Sequence, residues 1–470
     1  MFRFRAAWCL AAAVLAAGCL PNRVGLSPDG RTMYFSLGPD GPFGGHSDRA
    51  NIYSLQIETL QMQALTDGAG LNTWCALVDD GKTLVYMEVA EKEGFGIVHA
   101  LRLEDGVDVS LAGLLQPLTY PWPIPGKEGG LLAAAPGAQQ KPYWVFHDER
   151  GLVALPLPEG AKAVLGNVGL ARNRFAVAVS KETKLPADAQ DAEKDGQEYQ
   201  VFVVDLAAAP VAEGKKGADA EAKGEVKATA VARWVVEKEP VVDLAFSEDG
   251  SRLVAAVLEE PTVFYELDVT GQAEPKWLFE CPKAYYPQVA AGGGIVYLRT
   301  NAADEKWREV ALWTPGAAEA LVLARLPGKL GEAYTTWRWM EDGRLRVYHL
   351  SNEGVRIVET SADGSAAKGK RLSGEHLVAL ARMADFKRAS SKIPSLAEGK
   401  WPADVAGPIG VVADYFKKQE EGTEETRKAW EAAQAAAAVW EEVPAVTEIK
   451  APAAEAPAEE KPAEAPQAAP

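Results

Sequence analysis

Apolar and polar positions alternate along this chain in short segments, and each segment follows a tight-turn signal. The clearest is Leu26-Ser27-Pro28-Asp29-Gly30-Arg31-Thr32-Met33-Tyr34-Phe35. Asp-Gly is a favoured pair for a two-residue hairpin turn, because glycine tolerates positive φ and aspartate bonds to nearby backbone. The residues after it alternate and are rich in β-branched and aromatic types, which predicts a half-buried strand. Copies follow at Asp80-Gly81-Lys82-Thr83-Leu84-Val85-Tyr86-Met87, Asp249-Gly250-Ser251-Arg252-Leu253-Val254 and Asp342-Gly343-Arg344-Leu345-Arg346-Val347-Tyr348. Looser copies are Gly129-Gly130-Leu131-Leu132, Arg172-Asn173-Arg174-Phe175-Ala176-Val177 and Gly293-Gly294-Ile295-Val296-Tyr297-Leu298.

The turn residues of the seven copies stand at 30, 81, 130, 173, 250, 293 and 343. Five of the six intervals run from 43 to 51 residues, and one is 77. A four-stranded propeller blade takes about 40–50 residues. Such a sheet cannot cover both faces alone, and radial stacking covers each blade with its neighbours. The pattern therefore predicts an all-β fold: a β-propeller of seven four-stranded blades, with six as the alternative, over residues 19–385.

Third-strand candidates fit the same frame: Phe95 to Leu103, Tyr143 to Phe146, Tyr199 to Leu206, Thr262 to Asp268, Glu309 to Trp313 and Val355 to Glu359. Two excursions account for the long interval. Lys181 to Glu198 is polar and reads as helix-permissive. Residues 207–227 are rich in Ala, Gly, Lys and Glu and predict a mobile insertion.

At the other end, His376-Leu377-Val378-Ala379-Leu380-Ala381-Arg382-Met383 reads as one more strand. It is expected to pair inside the first or last blade and close the ring. The alternative gives that inner strand to Asn22 to Leu26. Residues 386–422 read as a linker and 423–442 as a helix. There Thr423 is a plausible N-cap, Glu424 and Glu425 suit the positive helix end, and Trp430, Ala433, Ala437 and Trp440 share one stripe. From 443 to 470 the Ala/Pro/Glu-rich tail should be disordered.

The leader has its own pattern. Arg3 and Arg5 form a positive start, and Trp8 to Ala17 is an apolar run too short to span a bilayer as a helix. It ends in Leu15-Ala16-Ala17-Gly18-Cys19. This resembles a bacterial lipoprotein signal over residues 1–18, although leucine stands four residues before the cysteine instead of three. The resemblance implies lipidation of Cys19 and a partner in the membrane itself, since acyl chains anchor a protein stably when more than one is present. An ordinary cleaved secretion signal, with Cys19 incidental, is the alternative.

Blade one carries a second resemblance. The order Ser27-Pro28-Asp29-Gly30, strand, Ile52-Tyr53-Ser54-Leu55, short turn, Leu65-Thr66-Asp67-Gly68 is similar to the TolB-type, WD-like propeller repeat. The likeness covers roughly residues 24–375 and fades after blade one. It implies a propeller of six to eight blades in the cell envelope, facing the periplasm from the outer membrane. TolB proteins also carry an α/β domain ahead of the ring. Five residues separate Cys19 from Gly25-Leu26, so the Tol–Pal role is not carried over.

Charge narrows the partners. The formal net charge is −17, which disfavours nucleic acid, whose phosphates require a basic face. It disfavours electrostatic docking on anionic lipid equally. The five histidines are scattered, and neither His-Glu-x-x-His nor Cys-x-x-Cys occurs, so no metal and no cofactor is implied. Cys75 and Cys281 fall in distant blades and read as separate buried thiols, since a disulfide needs Cα atoms within about 7 Å. Gly81-Lys82-Thr83 lacks the first glycine of a phosphate loop, and Gly25 to Asp29 lacks the second glycine of a nucleophile elbow.

One constellation remains. An aromatic stands six to eight residues before the turn at Trp74, Trp122, Tyr286 and Trp337, and Asp243 holds that place in blade five. These positions fall on or near the inner strands. They predict either an aromatic-rimmed mouth with a carboxylate, able to stack a sugar or peptide, or simple packing between blades. The function expected is a protein- or glycan-binding scaffold of the envelope. The competing classes are a propeller hydrolase or lyase with polar groups at the channel mouth, and a spacer whose tail makes the contacts.

Overall fold

In a computed structural model the chain is described at residues 24–38, 50–66, 70–78, 81–89, 96–110, 119–127, 130–137, 142–148, 151–184, 195–206, 228–236, 241–258, 260–328, 333–365, 367–391 and 441–443. The described strands form seven antiparallel sheets. Blade one is β1 (Gly25–Leu26), β2 (Thr32–Leu37), β3 (Asn51–Gln56) and β4 (Met62–Ala64). Blade two is β5 (Leu71–Leu77), β6 (Thr83–Val89), β7 (Ile97–Arg102) and β8 (Asp108–Ser110). Blade three is β9 (Thr119–Pro123), β10 (Leu131–Pro136), β11 (Pro142–Asp148) and β12 (Gly151–Ala154).

In blade four the inner strand is split. Both β13 (Lys162–Ala163) and β14 (Gly169–Ala171) pair with β15 (Arg174–Lys184), followed by β16 (Asp195–Asp205) and β17 (Ala228–Val236). Blade five is β18 (Val241–Phe246), β19 (Leu253–Leu258), β20 (Thr262–Leu267) and β21 (Lys276–Cys281). Blade six is β22 (Ala284–Val289), β23 (Ile295–Thr300), β24 (Trp307–Trp313) and β25 (Leu321–Pro327). Blade seven is β26 (Ala333–Trp339), β27 (Leu345–Ser351), β28 (Gly354–Thr360) and β29 (Ala367–Ser373), with β30 (Glu441–Val443) added outside β29. The seven-bladed propeller is thus the fold of this chain.

The repeated turn links strands one and two of each blade. It is longer than a two-residue hairpin. In blade one the Ser27 carbonyl accepts the Gly30 N–H at 2.9 Å, and Gly30 takes φ +65°. Ser27 Oγ donates to Asp29 at 2.6 Å and receives the Thr32 N–H at 2.9 Å. Ser247 and Asp249 repeat the arrangement in blade five. In these two blades serine strengthens the turn, because its hydroxyl satisfies the backbone that the turn leaves open; Val78 and Met340 hold the same place in blades two and seven.

Apolar side chains on both faces of the blades build a continuous ring of cores. One core joins blades five and six through Phe264, Phe279, Tyr297 and Trp313, and another joins blades six and seven through Val310, Trp337 and Val347. Cys75 and Cys281 are separate buried free thiols, as expected.

Ring closure differs from the first expectation. Residues 376–383 lie in helix α1 (Gly374–Ser391), and β1 supplies the inner strand of blade one. The helical period explains this. Leu377, Leu380, Ala381 and Ala384 are all buried, at i, i+3, i+4 and i+7. Ser373 caps the helix, its Oγ accepting the His376 N–H at 3.3 Å. A short apolar run is ambiguous between two periods, and here the longer one prevails.

Helix α1 seals the seam between blades one and seven. Its buried residues share a core with Met33, Phe35 and Leu55 of blade one and Tyr348, Leu350 and Ile357 of blade seven. Polar bonds complete the seam: the Gly30 carbonyl accepts from Arg346 at 3.0 Å and Tyr348 at 2.7 Å, and Lys370 Nζ reaches Glu58 Oε2 at 3.1 Å.

Two other expectations change. Lys181–Lys184 and Asp195–Glu198 are strand, not helix, because they prolong the β15–β16 hairpin in register. Residues 441–442, expected to end a helix, lie in β30, as does Val443. The leader with Cys19, the insertion 207–227, the linker beyond residue 391, residues 423–440 and the tail from 444 lie outside the described residues.

Candidate functional site

The inner strands surround a central channel, and a cavity of about 310 Å³ lies in it. Blade three contributes Trp122, blade four Asn167, blade six Tyr286 and Gln288, and blade seven Tyr334, Thr335, Thr336 and Trp337. Val24, just ahead of β1, completes the ring on the side of blade one. None of the described lining residues carries a formal charge. The wall offers aromatic faces, two carboxamides and hydroxyls.

Three inner strands share a local distortion. Trp74, Tyr120 and Tyr286 adopt φ +53°, +53° and +56°. Each sits where the pairing register slips, between Thr73 and Ala76, opposite Leu132–Ala134, and between Tyr285 and Gln288. Left-handed backbone at a bulky residue costs on the order of 1–3 kcal/mol and concentrates at functional positions. A bulge re-aims the side chains on either side of it, which turns these inner strands relative to the channel.

Of the residues singled out from sequence, Trp122, Tyr286 and Trp337 reach the cavity. Trp74 does not. It is 2% exposed and packs behind the wall against Tyr120 (centroids 4.5 Å) and Trp122 (5.3 Å), with Nε1 donating to the Pro121 carbonyl at 3.1 Å. Trp122 packs in turn on Trp144 at 5.7 Å. Most of this aromatic surface therefore joins blades two, three and four.

Asp243 also sits behind the wall, 1% exposed. Its Oδ1 accepts the Asn167 N–H and its Oδ2 the Tyr286 N–H, both at 2.9 Å. Leu244 N–H returns a bond to the Asn167 carbonyl at 2.9 Å. Burial pushes the Asp243 carboxyl above its ordinary value, and the two backbone N–H groups pull the other way. This carboxylate on blade five ties down one lining residue on blade four and one on blade six.

Asn167, Gln288 and Tyr334 escaped the sequence reading. Asn167 had a signal: it stands six residues before Asn173, at the offset that marks the aromatics, and Val24 stands six before Gly30. The offset is the informative property, and residue type hid it. Gln288 and Tyr334 carry no repeated position.

Cys281 lines a second cavity of about 320 Å³ with Lys283, Arg299 and Glu309. Arg299 Nη2 and Glu309 pair there at 2.8 Å.

No known protein family matches the chain, and no curated protein does. Solved structures do. TolB from Acinetobacter baumannii is 11% identical over 71% of this chain and 64% of its own, with a TM-score of 0.36. A puromycin-hydrolyzing peptidase from Mycobacterium tuberculosis is 11% identical over 72% of this chain and 51% of its own, at 0.43. An oligogalacturonate lyase in complex with manganese is 13% identical over 74% and 73%, at 0.34. This is likeness of fold. The chain spans less than two thirds of the TolB and peptidase chains.

Proposed function

We propose that this chain is a lipid-anchored protein of the bacterial cell envelope whose propeller binds a neutral glycan at the channel. The observation that carries the reading is the uncharged wall: Tyr286 and Tyr334 beside Asn167, Gln288, Thr335 and Thr336. Concave sites of mostly apolar lining with a few convergent polar groups suit small ligands. Aromatic faces, carboxamides and hydroxyls match a sugar's apolar faces and hydroxyl edges. Acid–base catalysis needs a group poised to give or take a proton. Asp243 has both oxygens committed to backbone, so the arrangement favours binding over hydrolysis or elimination. The anchor rests on Leu15-Ala16-Ala17-Gly18-Cys19, with Cys19 as the lipidated residue.

The test is titration with chitotetraose and maltotetraose, followed by intrinsic tryptophan fluorescence. Saturable binding that weakens in Asn167→Ala and Gln288→Ala supports the reading. Absence of saturation, together with capture of an envelope protein by the intact ring, moves the function to a protein scaffold. Capture that needs residues 443–470 would assign it to the tail. Mass spectrometry of the mature N-terminus tests the anchor: a diacylated Cys19 is expected, and an unmodified N-terminus elsewhere overturns it.

A further inference from the structure

Blade seven presents a polar row that ends in two arginines to blade six. Strand pairing places Thr335, His349, Arg356 and Arg371 side by side across β26 to β29. Trp337 and Val347, two positions along on the same face, belong to the core shared with blade six, so the row faces that blade. From blade six comes Arg308, two residues before Val310 of the same core. Its Nη1 donates to the Ala333 carbonyl of blade seven at 3.3 Å.

Exposure grades across the row. Arg308 is 1% exposed and His349 fully buried, Arg356 is half-buried, and Arg371 is exposed. The buried groups form a floor and the outer arginines a mouth. Like charges crowd here. Burial together with Arg308 and Arg356 pushes His349 down to about 3, against a smaller upward pull from the Pro327 backbone. Burial and Arg371 likewise lower Arg356. Glu353 pairs with Arg356 at 3.2 Å, on the exposed rim.

The seam also holds a buried donor. His349 Nδ1 lies 3.0 Å from Thr335 Oγ1. With Nδ1 accepting the hydroxyl proton, Nε2 carries the N–H. That Nε2 is left to the Pro327 backbone, while Trp337 Nε1 meets no partner of hydrogen-bonding geometry among the described residues. A buried donor requires an acceptor. The chain's net charge is −17, yet three arginines gather at this seam.

We propose that the seam between blades six and seven binds a small oxyanion, phosphate or sulfate, through Arg308, Arg356 and Arg371. Guanidinium groups match such oxygens in paired, charge-assisted bonds. The three arginines do not line the channel cavity, so this proposal is tested separately from the glycan reading.

The experiment is equilibrium dialysis of the full chain with radiolabelled inorganic phosphate, repeated with sulfate, at fixed ionic strength set by chloride. Direct binding is measured because both anions stabilise folded proteins without a site. One saturable site per chain is expected. Arg371→Gln, at an exposed position that leaves the core intact, should weaken it about tenfold, the value of one charge-assisted contact. Arg252→Gln on blade five should not change it. No saturable binding by the parent, or a change of less than about threefold in Arg371→Gln, overturns the proposal.

Discussion

Asp243 accepts the backbone N–H of Tyr286 through Oδ2 at 2.9 Å, and so fixes a residue held at φ +56°. The same carboxylate holds Asn167 through Oδ1. Two lining residues on different blades thus depend on one side chain that does not face the channel. Asp243→Asn keeps the shape but replaces one acceptor oxygen with a donor. A buried N–H left unsatisfied costs about 1–3 kcal/mol. The variant should lose stability by that amount in urea denaturation. Any ligand of the channel should bind it more weakly, although Asp243 makes no contact with the cavity.

Asp243 also sets a pH dependence. Its folded pKa is raised above 3.8 by burial. Between the two values the folded state holds more protons than the unfolded state, so stability falls as pH rises. The contribution is full below 3.8 and lost once pH passes the folded pKa. Urea midpoints from pH 4 upward should therefore decline less steeply in Asp243→Asn than in the parent. A parallel pair of curves would refute the assignment.

The turn aspartates act in the opposite sense. Asp249 and Asp363 are held down to about 2 by hydrogen bonds from Ser247 and Ser251, and from Ser361 and Ser365. Their contribution is present above the ordinary value and is lost as pH falls through about 2. Between pH 5 and pH 2 the double variant Asp249→Asn, Asp363→Asn should lose less stability than the parent. The pull comes from hydrogen bonds and not from neighbouring charges, so added salt should change it little.

Helix α1 takes the place of a shared strand in closing the ring. Leu377 is fully buried in the core that joins blades one and seven. Leu377→Ala should cost about 2–5 kcal/mol. Tyr53 Oη donates to both Asp385 oxygens at 2.9 Å, and Tyr53→Phe should cost about 1.5–3 kcal/mol. Because the helix seals the whole ring, calorimetry should show one transition shifted down in each variant. A separate early transition for the helix would count against the clasp.

The repeat was legible because turn chemistry and strand alternation are local, and every blade needs both. All seven turn signals precede the second strand of a blade. Helix α1 was misread because its apolar run satisfied a strand's period over a few residues, and only packing on β4, β28 and β29 settles the choice. Trp74 and Asp243 were found by offset, but whether a side chain faces the channel or the neighbouring blade depends on bulges. The slip between Tyr285 and Gln288 has no sequence marker. The arginine cluster between blades six and seven joins residues from three strands and is invisible in linear order.

Asn173 offers a test of how turn chemistry was read. It takes the place of the turn glycine in blade four, at φ +54°. Its N–H donates to the Pro125 carbonyl at 2.6 Å, and its carbonyl accepts from Leu206 at 2.8 Å, so the backbone is fixed from both sides. Asparagine tolerates this conformation, glycine adopts it freely, and a β-branched residue does not. Asn173→Gly should leave stability within about 0.5 kcal/mol, while Asn173→Val should lose about 1–2 kcal/mol. Equal losses in the two variants would mean that the asparagine side chain, and not its backbone, holds the turn.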